Sequence, residues 1–258
     1  MGTITDILNK FERVGLEDIN SFKLMNRTDT KFTFSSANLV LFLNQLSGHY
    51  KVLSINNNLK LSYRTQYYDT LDFSMYFRHH NNALNRYKVR HRTYLESKTG
   101  FLEVKLKNNK GRTIKERIVQ NALQNKWTEV ENKFIADRTT YDPKTLIPSV
   151  LVKYTRITLI NTTFIEKVTI DIDITFSNEN RDHELGNVVI AEVKQAVKAR
   201  TPALAVLKDL GIKPVSLSKY CLGVNYLYPS LKKNNFKQKL ITLRKIINDA
   251  PNGHIAGI

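Results

Sequence analysis

Cysteine is almost missing: Cys221 is the only one in 258 residues. No internal disulfide can staple this fold, which is compatible with a reducing compartment. Cys221 sits in an apolar segment of helical pattern and reads as a packing residue. Long apolar runs are missing too. No stretch reaches the roughly 18 to 20 continuous apolar residues that a bilayer-crossing helix needs. The opening MGTITDILNKFERV lacks the basic start and apolar middle of a secretory signal, so the expected location is cytoplasmic. Internal repeats, low-complexity tracts and Gly/Ser linkers are also absent, which favours one domain over residues 1–258. Acidic residues are scarce, at 23 against 40 Lys and Arg, and the formal charge is +17. That excess asks for an anionic partner: nucleic acid, inorganic phosphate chains, nucleotides or an acidic membrane surface. No helix-turn-helix, RNA-recognition or zinc pattern occurs, which disfavours specific nucleic-acid binding and leaves only salt-sensitive non-specific attraction.

What is present is concentrated in residues 85–107, NRYKVRHRTYLESKTGFLEVKLK. Side chains alternate between the faces of a strand, so Arg86, Lys88, Arg90 and Arg92 share one face. After a turn at residues 97–100, Glu103, Lys105 and Lys107 share a face opposite Leu102, Val104 and Leu106. Like charges at cross-strand spacing repel. Such a strip is either a solvated polar face or the wall of a site for a polyanion.

Other segments repeat the device. Residues 4–14 have helical spacing of apolar residues, and residues 27–34 read as a strand with Arg27, Asp29 and Lys31 on one side and Phe32 and Phe34 on the other. Ser35 or Ser36 caps a helix that ends near Gly48. A tyrosine-rich strand precedes an irregular link, residues 71–82. There His79 and His80 are adjacent and ill-placed to share a metal. Residues 111–120 resume alternation with Thr113, Lys115 and Arg117 on one side, and residues 121–138 suggest a helix. Two long strands follow. In the second, Val168, Ile170, Ile172 and Ile174 are expected on one face, with Lys167, Thr169, Asp171 and Asp173 on the other. Glu192 and Lys194 alternate with Ala191 and Val193. Thr201-Pro202 starts a helix that Gly211 and Pro214 stop. Helical patterns close the chain at residues 216–228 and, Lys-rich, at about 230–248.

Each strand thus has an apolar and a charged face. With charges outward, the apolar faces would form a sandwich core. With charges inward, the sheet closes and helices cover its apolar exterior. About five candidate helices favour the second arrangement: α+β, a closed antiparallel β-barrel forming a tunnel with a charged lumen, flanked by several α-helices. An empty lumen of that kind carries a heavy desolvation cost and should hold phosphate, anions or water.

The segments LMNRTDTKF, YYDT, Arg86 to Tyr94 (R-x-K-x-R-x-R-x-Y), FLEVKLK, GRTIKERI, YTRI, the strand bearing Asp171 and Asp173, AEVK and SKYCLG occur in an order that resembles the catalytic domain of the vacuolar transporter chaperone (VTC) family, especially bacterial members. These are polyphosphate polymerases among the triphosphate tunnel, or CYTH-like, enzymes. The resemblance covers about residues 24–223. It implies a tunnel in which the γ-phosphate of ATP passes to a growing polyphosphate with the help of Mn²⁺ or Mg²⁺. By motif, Lys31, Arg90, Arg92, Lys105, Lys115, Arg156 and Lys219 would grip phosphates. Arg27, Lys88, Arg117, Lys167 and Lys194 would assist binding, and Glu192, with Glu103, would hold the metal. Such chemistry depends on positioning and charge neutralisation, for which Arg forks and a carboxylate-held hard cation are suited. The implied ligands are ATP, triphosphate and polyphosphate. The alternatives are a metal-dependent triphosphate hydrolase and a non-catalytic polyphosphate-binding module. Hydrolytic tunnel enzymes open with Glu-x-Glu-x-Lys, whereas Arg27, Asp29 and Lys31 keep one carboxylate, which argues against hydrolysis. Lys167 and Ser216 stand where polymerase relatives often carry Arg and Lys.

Overall fold

The computed structural model describes residues 3–21, 27–122, 126–163, 166–215 and 217–248. Leu24 to Asn26, Leu123 and Ser216, which the sequence reading used, lie outside them. The described residues form one large, almost wholly antiparallel sheet whose main path runs β2 (Thr28–Ser35), β11 (Val188–Gln195), β9 (Glu166–Ser177), β8 (Ile147–Asn161), β4 (Leu61–Asp69), β5 (Arg86–Tyr94), β6 (Thr99–Lys107) and β7 (Thr113–Val119). Three short strands that alternation did not reveal, β1 (Glu12–Val14), β3 (Lys51–Leu53) and β10 (Asp182–Glu184), lie off this path, and β1 pairs with β3 in parallel.

The barrel does not close. The ends of the path, β2 and β7, are not hydrogen-bonded to each other. The outer edge of β2 is occupied instead by residues 214–215: the Val215 N–H donates to the Lys31 carbonyl at 2.8 Å and Pro214 bridges Phe32. Proline lacks an N–H, so this segment can cover an edge but cannot extend the sheet. β7 is exposed along nearly its whole length, and Lys115, Glu116 and Arg117 guard that edge with charge.

The expected helical cover is present on the apolar side. Helices α1 (Ile4–Leu8), α3 (Ser36–Leu46) and α6 (Pro202–Asp209) bury Leu8, Leu39, Phe42, Leu43 and Leu207 against Phe32, Phe34, Val168, Ile170 and Ala191. Full burial of each such side chain contributes roughly 1.5–3 kcal/mol before entropy is counted. A smaller cluster places Phe134 and Ile135 of α5 (Glu129–Ala136) on Val89, Leu102 and Val104.

Several elements differ from the sequence expectation. Residues 4–14 are not one helix: α1 is a single capped turn, with Thr3 and Asp6 forming a capping box, and Val14 belongs to β1. The helix expected over residues 121–138 starts only at Glu129, where Thr128 and Glu131 form a second capping box. The link at residues 71–82 contains a helix, α4 (Ser74–His80). Its start is fixed from a distance, because the Asp69 carboxylate accepts the Met75 and Tyr76 N–H groups, both at 2.9 Å. Ile174 does not share a face with Val168, Ile170 and Ile172. Asp173 adopts φ +52° where the β8–β9 register slips, and this bulge reverses the alternation. Beyond it, Ile174 and Phe176 turn to the face that also carries Asp171 and join a different core cluster, while Asp173 is exposed.

That switch makes one end of the charged face apolar. Helices α7 (Lys219–Leu227) and α8 (Lys237–Asn248) pack there, through Cys221, Leu222, Val224 and Leu243. A Cβ at Gly223 would collide with the Val150 side chain and touch Phe176. Only glycine permits α7 to lie this close to the sheet. The remaining short helix is α2 (Leu16–Ser21), and none among the described residues is long and apolar enough to cross a membrane.

Candidate functional site

The charged side chains that sequence alternation grouped strand by strand lie on one face of this sheet, and register joins them. Glu192 on β11 is opposite Lys31 on β2 and Thr169 on β9. Its carboxylate is bound by Lys31 and by Lys194, whose Nζ also donates to Thr169 Oγ1 at 3.1 Å. Two strands away, Arg156 faces Asp171 and binds it as a fork, at 2.6 and 2.8 Å. Lys219, in the first turn of α7, reaches the same carboxylate. On the far half of the sheet Arg90 faces Glu103 at 2.6 Å, and Lys115 from β7 binds the same acid.

Three carboxylates are thus each clamped by two cations. Burial opposes their ionisation, but the neighbouring cations outweigh it, so Glu103, Asp171 and Glu192 are all held below the usual carboxylate range.

Tyrosines connect the clusters. Arg92 and Arg156 lie over the Tyr63 ring at 5.8 and 4.9 Å, Lys219 over Tyr154 at 4.7 Å, and Arg90 over Tyr67 at 5.9 Å. Arg92 Nε also donates to Thr65 Oγ1 at 3.2 Å. A ring face accepts a cation without offering a competing charge, at about 0.5–2 kcal/mol per contact. Arg90 and Arg92 are only 6% and 9% exposed, and Glu103 is fully buried. Such burial needs cover, and α7 supplies part of it, bringing Lys219 to Asp171 and its cap Ser218 to Lys88, so we treat the charged face as the wall of a candidate groove. A separate cavity of about 450 Å³ beside β2 is lined by Thr33, Leu210, Ile212, Val215 and Ile246, with Lys213 as its one charged residue, and does not suit a polyanion.

Three lysines of the groove are held below the ordinary lysine value. Lys105 is depressed well below its ordinary value, first by the charge of Arg90 and then by burial. Burial lowers Lys115 and Lys194 to about 8, with Glu103 and Glu192 partly offsetting it.

Among the residues named from sequence, Lys31, Arg90, Arg92, Lys105, Lys115, Arg156 and Lys219 all have their place on this face, as do Lys88 and Lys194. Lys167 is opposite Lys194 in register. Arg27 is exposed beside Asp29 at 2.9 Å, and Arg117, also exposed, stacks on Phe101 at 4.2 Å. Tyr63, Tyr67, Tyr154, Asp171, Ser218 and Asp69 were not assigned roles. Their signal was available in part, since the tyrosines alternate at the same period as the charges they face.

Glu103 is fully buried and paired with Arg90 and Lys115, so to serve as the expected metal ligand it would have to exchange these cations for the metal. Glu192 fits better: its side chain is 20% exposed, and Asp29, opposite the neighbouring Lys194, is 34% exposed. One or two carboxylates, with phosphate oxygens completing the shell, is the ordinary environment of Mg²⁺. Among the described residues no three acids, histidines or cysteines converge as a metal cage. His79 and His80 lie at the end of α4, with His80 bonded to Asn81 and Asn235.

Comparison with known proteins agrees with this geometry. The VTC domain model matches residues 26–228. A candidate adenylyl cyclase from Hippeastrum, described as having a dominant triphosphatase activity, superposes with a TM-score of 0.51 at 11% identity, covering 78% of this chain and 96% of its own. A candidate adenylate cyclase from Bacillus halodurans gives a TM-score of 0.47 at 14% identity, over 75% and 96% of the two chains. At 11% identity the likeness to the Hippeastrum protein is one of fold. No curated protein sequence matches the chain.

Proposed function

This chain belongs to the VTC domain family, and from that premise we propose that it is a polyphosphate polymerase acting on ATP in the groove. The observation that carries the proposal is the set of three acids, Glu103 and Asp171 buried and Glu192 half-buried, each shared by two cations, on a face with further cations to spare. An incoming phosphate chain exchanges these internal ion pairs for its own, and the Arg forks match its oxygens in pairs.

In the proposed reaction a terminal oxygen of the chain attacks the γ-phosphorus of ATP. The bond from that phosphorus to the β,γ-bridging oxygen breaks, and ADP leaves with the bond's electrons. The attacking oxygen already carries negative charge, so no general base is required. Arg90, Arg92, Arg156 and Lys219 hold the reacting phosphates in line over the tyrosine floor. Lys31, Lys105 and Lys115 offset charge that moves toward the leaving ADP. Lys88, Lys167 and Lys194 contact the chain along its length, and Arg27 and Arg117 guide it at the rim. Glu192, with Asp29 opposite the neighbouring Lys194, would hold Mn²⁺ or Mg²⁺, which would supply charge neutralisation for the phosphates. The single carboxylate on β2, engaged with Arg27, supports transfer to a chain over activation of water.

The test supplies ATP and Mn²⁺ to the purified protein and resolves products on a gel. Long-chain polyphosphate is expected, and steady release of orthophosphate without chain growth would assign hydrolysis instead. Glu192→Gln is expected to abolish metal-dependent turnover, by at least about a hundredfold, while tripolyphosphate still binds.

A further inference from the structure

The three acid-centred clusters do not account for all the cations on this face. Within β5 and β6, Arg86 stands opposite Lys107 and Lys88 opposite Lys105. Among the described residues none of these four forms a salt bridge to a carboxylate, and Lys105 is near enough to one, Glu103, to feel its charge. Like-charge pairs across a ladder destabilise it; Lys167 opposite Lys194 is one such pair elsewhere, and here two follow in succession beyond Glu103.

The same end is closed by other elements that bring no acid. Lys88 Nζ donates to Ser218 Oγ, the cap of α7, at 3.0 Å. Phe236 joins two more polar groups, with His79 of α4 stacked on its ring at 6.1 Å and Lys239 of α8 over it at 5.9 Å. His79 Nδ1 is buried and has no protein partner. Burial, then the charges of Lys88, Arg86, Lys239 and Lys107, keep the ring neutral. It therefore offers this end a hydrogen bond without adding to the repulsion. Strands β5 and β6 and helices α4, α7 and α8 meet at a collar of cations with no salt-bridged carboxylate among them, and a multivalent anion would supply the missing counter-charge.

We propose that the groove continues past its acid-centred clusters into a second phosphate subsite, formed by Arg86, Lys88, Lys107, Lys239 and His79, which holds the part of a chain lying beyond a triphosphate. The inference rests on reading the groove as a phosphate-chain site and adds a length requirement to it. On that reading a triphosphate is held by the acid-centred clusters. A longer chain also crosses the collar, which provides a reason for the protein to retain intermediates between additions.

The experiment measures tripolyphosphate and long-chain polyphosphate affinities by calorimetry for the wild type, a Lys107→Ala/Lys239→Ala variant and a Lys198→Ala/Lys245→Ala control with the same net charge. Lys107 is exposed and Lys239 half-buried, so the variant is expected to keep its melting temperature. The expected result is a wild-type preference for the long chain that falls at least tenfold in the collar variant and stays within twofold in the control. A wild type with no preference, or an equal loss in variant and control, overturns the subsite while leaving the groove's triphosphate function standing. A wild type that binds neither ligand overturns both.

Discussion

At the scale of single residues, the groove stores its capacity for phosphate in internal salt bridges. Glu103 shows the arrangement most clearly, since it is fully buried and bound by Arg90 and Lys115. Breaking a buried pair by removing one partner costs about 3 kcal/mol or more, because the other charge is left uncompensated. Glu103→Gln is therefore expected to lower stability by about that amount in chemical denaturation while tightening tripolyphosphate binding, since both cations are released to the ligand. Unchanged stability with weaker binding would contradict this. The lysines give a second expectation. Lys115 and Lys194 sit near 8, below the ordinary lysine value of 10.5. Between those values the folded chain binds fewer protons than the unfolded one, so these groups make stability rise with pH across that window and cost stability below it. Phosphate binding has the opposite dependence, because it requires the charged forms. Binding between pH 8 and 9 is expected to take up protons, seen as a dependence of the calorimetric heat on the buffer's ionisation enthalpy, and affinity should fall as the pH rises. Heat independent of buffer would count against it.

Among the elements, α7 governs the geometry of the site. Its cap receives Lys88, its first residue reaches Asp171, and its second, Tyr220, donates to the buried carboxylate of Asp69, which also anchors α4. Asp69 is thus a positioning residue that acts through Tyr220 on Lys219. Asp69→Asn keeps the shape but weakens this charge-assisted bond. It is expected to slow turnover tenfold or more, with a smaller change in substrate affinity, and Tyr220→Phe should do the same more mildly. Equal losses of affinity and turnover would point to general unfolding. The origin of these contacts explains what could be read from sequence. Strands β2, β5, β6, β7 and β11 were legible because period-two alternation is a local property, and Glu192, Arg90 and Lys105 came with them. Helix α4 was not, because its N–H groups are satisfied by Asp69, which precedes it by several residues and belongs to a strand. The reversal at Asp173 was equally hidden, since a bulge depends on how β8 and β9 pair and leaves the sequence alternation intact.

For the molecule as a whole, a formal charge of +17 is organised, not merely tolerated. The apolar outer face of the sheet is covered by helices, and the cations gather on the opposite face, with α7 and α8 sealing its apolar end. The sheet does not close: the Pro214–Val215 cover on β2 and the charged edge of β7 end it, and Arg90 and Arg92 are nonetheless buried. The measurement that bears most directly on this arrangement is tripolyphosphate titration of the wild type, Arg90→Ala, Arg156→Ala and Lys31→Ala by calorimetry at fixed salt. These residues come from three separate regions of the sheet and share nothing but its polar face. The result expected is one site per chain, weakened at least tenfold by each substitution. Full-strength binding in all three variants, or weakening only when the outward lysines Lys237 and Lys245 are removed, would mean that the cations act as a diffuse surface charge and not as one phosphate-binding groove.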